Sequence, residues 1–293
     1  MKPLLFNLYA EPQLFSAFAT KIDADIAELE SHQFPDGETY LRIHSDCNQR
    51  EIIILTNLHQ PNTKVLPLLY LCETLREQGA KYITLVSPYL PYMRQDIKFH
   101  EGEALTSRVF AKLLSQYLDH LITIDPHLHR YNSLDEIYSL ESQTLQANPL
   151  IAAWVKNNIE QPLVVGPDSE SEQWAASAAE MIGCPYLILE KQRFGDKDVK
   201  VSAPNAQDFI GRTPVLIDDI ISTGQTMIRA AEALVDEGLN RPVCIGVHAL
   251  FSGDAYATMT QAPIQRILTC NTVAHPSNTI DVSPLLSAAI RKH

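Results

Sequence analysis

The feature that most narrows the fold is a recurring short apolar run, rich in β-branched residues, followed each time by a turn and a helical pattern. Residues 51–55 (EIIIL), 82–86 (YITLV), 121–124 (LITI), 163–165, 186–189, 215–217 and 243–247 are the clearest runs. Their hydrophobicity is continuous rather than alternating, which suits strands covered on both faces. Between them, residues 64–78, 105–117, 170–181 and 226–237 carry helical spacing. Strand–helix alternation of this kind predicts an α/β fold with mostly parallel sheets.

The alternation falls into two halves, and 293 residues is a length suited to two domains. Residues 133–160 turn polar and helical, which sets the expected boundary at 145: residues 1–145, then 146–283, with 284–293 as a C-terminal segment. Two such domains facing each other would make a ligand cleft. The net charge of −12 argues against a nucleic-acid partner, whose phosphates demand clustered Lys and Arg. Small anions remain open, since backbone amides and a few cations bind them whatever the global charge. Five scattered cysteines without a CxxC pair suit a reducing compartment and give no zinc or disulfide framework. No run is long enough to span a membrane, and the N-terminal stretch is interrupted by Glu11 and Pro12, so no signal peptide is read. The expectation is a cytoplasmic protein with no membrane partner.

The densest chemistry lies in residues 215–226, VLIDDIISTGQT. Ligands of open α/β sheets sit beyond the carboxyl ends of strands, so a strand over 215–217 places Asp218 and Asp219 at such an end. Backbone amides of the following turn, with the hydroxyls of Ser222, Thr223 and Thr226, can wrap a phosphate as a helix begins near Thr226. Gly224 allows close backbone approach, and Gln225 completes the turn. The two acids would repel a phosphate in contact, but would suit sugar hydroxyls or Mg²⁺ a few ångströms away. On pattern alone, a capping Asp before an ordinary Ser/Thr-rich turn is the other reading.

Four more segments bear on chemistry. Phe34, Asp36 and Glu38 belong to FPDGE, on its own a turn of Pro-Asp-Gly type. Arg94, Gln95 and Asp96 belong to SPYLPYMRQDIKF, at the end of the 82–86 run. There an Arg can grip phosphate oxygens, or the segment is a proline-rich loop with solvated charges. His127 and His129 belong to IDPHLHRY, with no Cys pair to complete a structural zinc site. Asp168 ends another run in VVGPDSESEQW, and Lys191 and Arg193 lie in EKQRFGDKDVK, which alone reads as a charged hairpin.

The 215–226 stretch resembles the phosphoribosyl-pyrophosphate (PRPP) loop of type I phosphoribosyltransferase folds. The other segments narrow the resemblance to ribose-phosphate pyrophosphokinases, also called PRPP synthetases, over nearly the whole chain. FPDGE matches an F-x-D-G-E adenine-contacting segment, often supplied by a neighbouring subunit. PYMRQD matches a P-Y-x-R-Q-D ATP segment, and FHEGEAL after it is similar to an archaeal-type form. His127 matches the histidine of a D-x-H segment near the nucleotide's Mg²⁺ or phosphates, while His129 has no counterpart. Asp168 matches a P-D aspartate near metal and ribose phosphate. Lys191 and Arg193 reproduce a K-x-R pair on a mobile loop.

The resemblance implies two tandem phosphoribosyltransferase-like domains, ATP on the first, ribose 5-phosphate on the second, and the 284–293 segment packing on the first. It also implies Mg²⁺ held by His127 and Asp168, a homo-oligomer, and catalysis by Lys191 and Arg193. The chain departs from the family pattern at Ser169 to Glu172, at Ser222, where many members have Asp, and at Gln225, where many have Gly. A regulatory relative without catalysis, or a transferase that consumes PRPP, are the alternatives.

Overall fold

The computed structural model describes residues 1–168, 171–194 and 198–290, without the side chains of Gln173 and residues 191–200. The chain divides into two compact units, Met1–Leu145 together with the chain from Val282 onward, and Gln146–Asp281.

The first unit contains β1 (Leu4–Leu8), α1 (Pro12–Ala19), β2 (Asp25–Ile26), β3 (Leu29–Gln33), β4 (Thr39–Ile43), β5 (Glu51–Thr56), α2 (Val65–Glu77), β6 (Tyr82–Val86), α3 (Thr106–Leu114), β7 (His120–Ile124) and β8 (Glu141–Leu145). The second contains α4 (Asn148–Asn158), β9 (Pro162–Gly166), α5 (Glu172–Ile182), β10 (Tyr186–Ile188), β11 (Glu190–Phe194), β12 (Asp198–Ser202), β13 (Thr213–Ile221), α6 (Gln225–Asp236), β14 (Val243–Ala249), α7 (Ala255–Gln261), β15 (Arg266–Cys270) and β16 (Asn278–Ile280). Finally α8 (Ser283–Ala289) packs against α1 and so belongs to the first unit.

Each unit holds a six-stranded, fully parallel sheet, ordered β2-β1-β5-β6-β7-β8 in the first and β10-β9-β13-β14-β15-β16 in the second. Counting only sheet strands, both orders are 2-1-3-4-5-6, a doubly wound arrangement with its switch point beside the first strand. In both, an antiparallel hairpin (β3–β4, β11–β12) stands between the second and third sheet strands. Central strands are buried on both faces: Ile52 to Leu55 and Val215 to Ile217 are at most 4% exposed. That burial from two sides is why these runs are continuously apolar. Among the described residues, no helix is long and apolar enough to cross a membrane.

Candidate functional site

In the second unit the switch point lies between β9 and β13. The β9 ladder on β13 ends at Leu216, whereas β14 continues pairing to Ile221. This corrects the expectation that the strand stops at Ile217: Asp218 and Asp219 lie inside β13, kept extended by β14 on one side while the other side has lost its neighbour. Asp219 donates its backbone N–H to Asp218 Oδ1 at 3.0 Å. Burial, then the neighbouring Asp219 and the Asp168 carboxylate, push the Asp218 carboxyl well above its ordinary range. Three carboxylates crowded at one switch point attract a cation or hydroxyl donors.

After β13 only residues 222–224 form the turn, since α6 starts at Gln225 rather than Thr226. Gln225 and Thr226 thus occupy the first helical turn, whose amides point outward without a side-chain cap or an acidic residue. Such a terminus attracts anions. Gly224 sits at φ +72°, and a Cβ there would lie 2.6 Å from Met259 Sδ, so conformation and space both require glycine. The turn is held from behind: Ser252 N–H donates to the Ser222 carbonyl at 2.9 Å, and the two serine hydroxyls lie 3.1 Å apart.

Asp168, just past β9, is shaped by Ser171. Ser171 Oγ donates to the Asp168 carbonyl at 2.6 Å, and Ser171 N–H to Asp168 Oδ1 at 3.3 Å. Ser169 and Glu170, where the chain departs from its family pattern, lie outside the described residues. The backbone of β11 pairs Lys191 with Val201 and Arg193 with Val199 in the hairpin. Their side chains lie outside the described residues.

In the first unit, Phe34, Asp36 and Glu38 occupy the exposed tip of the β3–β4 hairpin, closed by Phe34 N–H to the Glu38 carbonyl at 2.8 Å. Glu38 N–H also donates to Asp36 Oδ1 at 3.2 Å, and Gly37 supplies φ +91°. The Phe34 ring meets His32 and Tyr40 edge-on, leaving an aromatic surface in solvent. Arg94 is exposed after β6. Gln95 Oε1 accepts from Thr106 Oγ1 at 3.1 Å, tying the segment to the start of α3. The Asp96 side chain is only 5% exposed and is paired with Arg130 at 3.2 Å. Asp96 thereby holds the loop after β6 to the loop after β7 that carries His127.

That second loop is strained, with Asp125 at φ +37° and His127 at φ +57°. Non-glycine residues in this region cost energy and concentrate at functional sites. The His127 and His129 ring centroids are 4.0 Å apart, so His129, without a family counterpart, packs directly on the matched histidine. Sequence reasoning missed Arg130, Thr106, Ser171 and Ser252. Arg130 adjoins the histidines in LHRY and was the one open to reading; the other three matter only through contacts made in three dimensions.

Comparison with known proteins agrees with this geometry. Residues 3–117 match the family model of the N-terminal domain of ribose phosphate pyrophosphokinase, and 133–285 match the phosphoribosyl transferase domain. A curated ribose-phosphate pyrophosphokinase of Sulfurisphaera tokodaii is 33% identical over 92% of this chain and 94% of that one. Another, of Methanopyrus kandleri, is 30% identical over 93% of each. The crystal structure of phosphoribosylpyrophosphate synthetase from Mycobacterium smegmatis superposes with a TM-score of 0.86 at 25% identity, covering 98% of this chain and 97% of that one. Two parallel α/β units, an uncapped helix start beside a carboxylate pair, and these matches along nearly the entire length lead to one assignment: the chain belongs to the ribose-phosphate pyrophosphokinase family.

Proposed function

We propose that the protein transfers the β,γ-diphosphate of ATP to the C1 hydroxyl of ribose 5-phosphate, giving PRPP and AMP. The observation that carries this reading is the uncapped start of α6 behind residues 222–224, set beside Asp168, Asp218 and Asp219 at a switch point. A sugar phosphate satisfies both halves: its 5-phosphate takes the amides and the hydroxyls of Ser222, Thr223 and Thr226, and its ring hydroxyls donate to Asp218 and Asp219. Ring hydroxyl donors also suit the crowded carboxylates, since each donated hydrogen bond offsets part of the repulsion that raises Asp218.

ATP is bound by residues of the first unit. Phe34 offers a ring face for the base, Asp36 and Glu38 accept from its edge or its ribose, and Arg94 with Gln95 takes phosphate oxygens. Asp96 contributes by fixing the loop through Arg130. The C1 oxygen forms a bond to the β-phosphorus as the bond from that phosphorus to the α,β-bridging oxygen breaks. AMP departs, and the hydroxyl proton passes to solvent. Lys191 and Arg193 stabilise the charge that develops on the transferred group and the leaving AMP, so positioning and electrostatics supply the acceleration.

The crowded carboxylates of the second unit fit a divalent cation, whose charge would relieve the repulsion that raises Asp218. Mg²⁺ would be held by phosphate oxygens, with Asp168 and His127 assisting. When bound, Mg²⁺ neutralises phosphate charge. The protein acts in the cytoplasm, where ATP is abundant, as a homo-oligomer in which the exposed β3–β4 tip serves a neighbouring copy.

Mixing protein, Mg²⁺, ATP and ribose 5-phosphate should release AMP only when the sugar is present. Binding of both ligands without AMP would favour a regulatory role. Pyrophosphate release from PRPP on adding a purine or pyrimidine base would favour a transferase.

A further inference from the structure

The turn that cradles the anion is short, and its shape is set by a second segment that no motif marks. Residues 250–253 (LFSG) leave β14 and run behind it. Leu250 and Phe251 N–H groups both donate to the Ile221 carbonyl, at 3.1 and 3.0 Å, and Ser252 N–H donates to the Ser222 carbonyl at 2.9 Å. Phe251 sits at φ +36°, a conformation held by packing: its ring lies 4.3 Å from His275 and 5.1 Å from Tyr256, centroid to centroid. Ala255 and Met259 of α7 close the space against Gly224. The backplate is therefore rigid, and a strained residue is maintained within it.

The Ser252 side chain adds nothing to this backbone lacing. Its one described hydrogen bond is to the Ser222 hydroxyl, 3.1 Å away, at the mouth of the turn. Two hydroxyls sharing one hydrogen bond have a choice of direction, and the direction decides what the pair presents. With Ser222 as donor, its proton is spent on Ser252. With Ser252 as donor, Ser222 keeps a proton to give to an anion at the start of α6, and an anion there selects that arrangement.

We propose that Ser252 is a positioning residue for the sugar phosphate: its hydroxyl donates to Ser222 Oγ and so turns the Ser222 hydroxyl proton toward the 5-phosphate. This rests on reading the turn as the sugar-phosphate cradle, but not on turnover. Ser252 acts only through Ser222, so the two should be coupled rather than additive.

The test is calorimetric titration of ribose 5-phosphate into the full-length protein and its variants, with ATP titrated as a control. Ser252→Ala should weaken ribose 5-phosphate binding about threefold, the worth of the neutral hydrogen bond that orients Ser222, and leave ATP affinity and Tm unchanged. Ser252→Thr, which retains the hydroxyl, should restore binding. In a Ser222→Ala background, Ser252→Ala should have no further effect. Unchanged affinity in Ser252→Ala, an equal loss for ATP, or the same penalty with and without the Ser222 hydroxyl would each overturn the inference. Because binding is read directly, tight sugar-phosphate binding without AMP release would defeat the diphosphokinase reading while this inference stood on its own result.

Discussion

The two units share a strand order and a hairpin position, yet they use the same places differently. In the second unit the connection from the third sheet strand to its helix is three residues of turn with a glycine pressed on Met259, leaving helix amides bare. In the first unit the equivalent connection from β5 to α2 is longer and fills itself. Lys64 at the start of α2 donates Nζ to the Asn57 carbonyl at 2.9 Å and lies 5.8 Å over the Tyr9 ring. One switch point presents a bare helix start beside carboxylates; the other is plugged by its own lysine. The candidate ATP residues of the first unit sit instead after β6 and β7 and on its hairpin. Topology supplies equivalent edges, and side chains decide which edge becomes a site.

The sharpest way to break this comparison is at the hairpins. Lys191→Ala and Arg193→Ala on β11 should each reduce AMP formation by roughly a hundredfold while sparing ribose 5-phosphate affinity. Unchanged turnover would remove that hairpin from the chemistry. Next come two glycines with positive φ. Gly224→Ala meets both a disfavoured conformation and Met259, and should cost about 3 kcal/mol in a denaturant titration and impair sugar-phosphate binding. Gly37→Ala, with nothing within 4 Å of the added carbon, should cost about 1 kcal/mol. Equal costs would contradict the claim that the turn, and not the hairpin tip, is sterically locked.

Asp218 gives a smaller, signed effect. Its carboxyl is raised in the fold, so the protonated form is favoured and stability is lost as pH rises from the ordinary aspartate range through the raised value. Asp218→Asn should therefore raise the Tm of the ligand-free protein by about 2 °C at pH 8, with the gain vanishing near pH 4, while abolishing sugar binding. A loss of Tm at pH 8 would contradict it. The least effect belongs to Arg130→Ala, which leaves Asp96 without its described partner and lets the loop after β6, the candidate ATP segment, drift. KM for ATP should rise about fivefold with ribose 5-phosphate affinity intact, as checked by initial rates.

How much of this could be read in the chain follows from the same physics. Strands buried on both faces announced themselves: residues 82–86 are β6 to the residue. Edge strands did not. β8 reads ESQTL, with one edge open to solvent and little apolar content, and its stretch reads as polar and helical. β1, LLFNL, is an interior strand, yet five residues with Asn7 among them make an apolar run too short to tell from a helix segment. The carboxylate pair was legible as a site, but its place inside β13 was not, because β14 extends the strand by pairing that only the fold creates. Ser252 and Arg130 were out of view for a related reason: each matters through a partner 30 or 34 positions away.

The central claim is that diphosphate moves as one unit from ATP to the sugar bound at the α6 turn. Phosphorus NMR of the completed reaction with Mg²⁺, ATP and ribose 5-phosphate tests it most directly. The account predicts AMP and a C1-linked sugar diphosphate in equal amounts. ADP with a singly phosphorylated sugar product, or AMP formed equally well without the sugar, would contradict it.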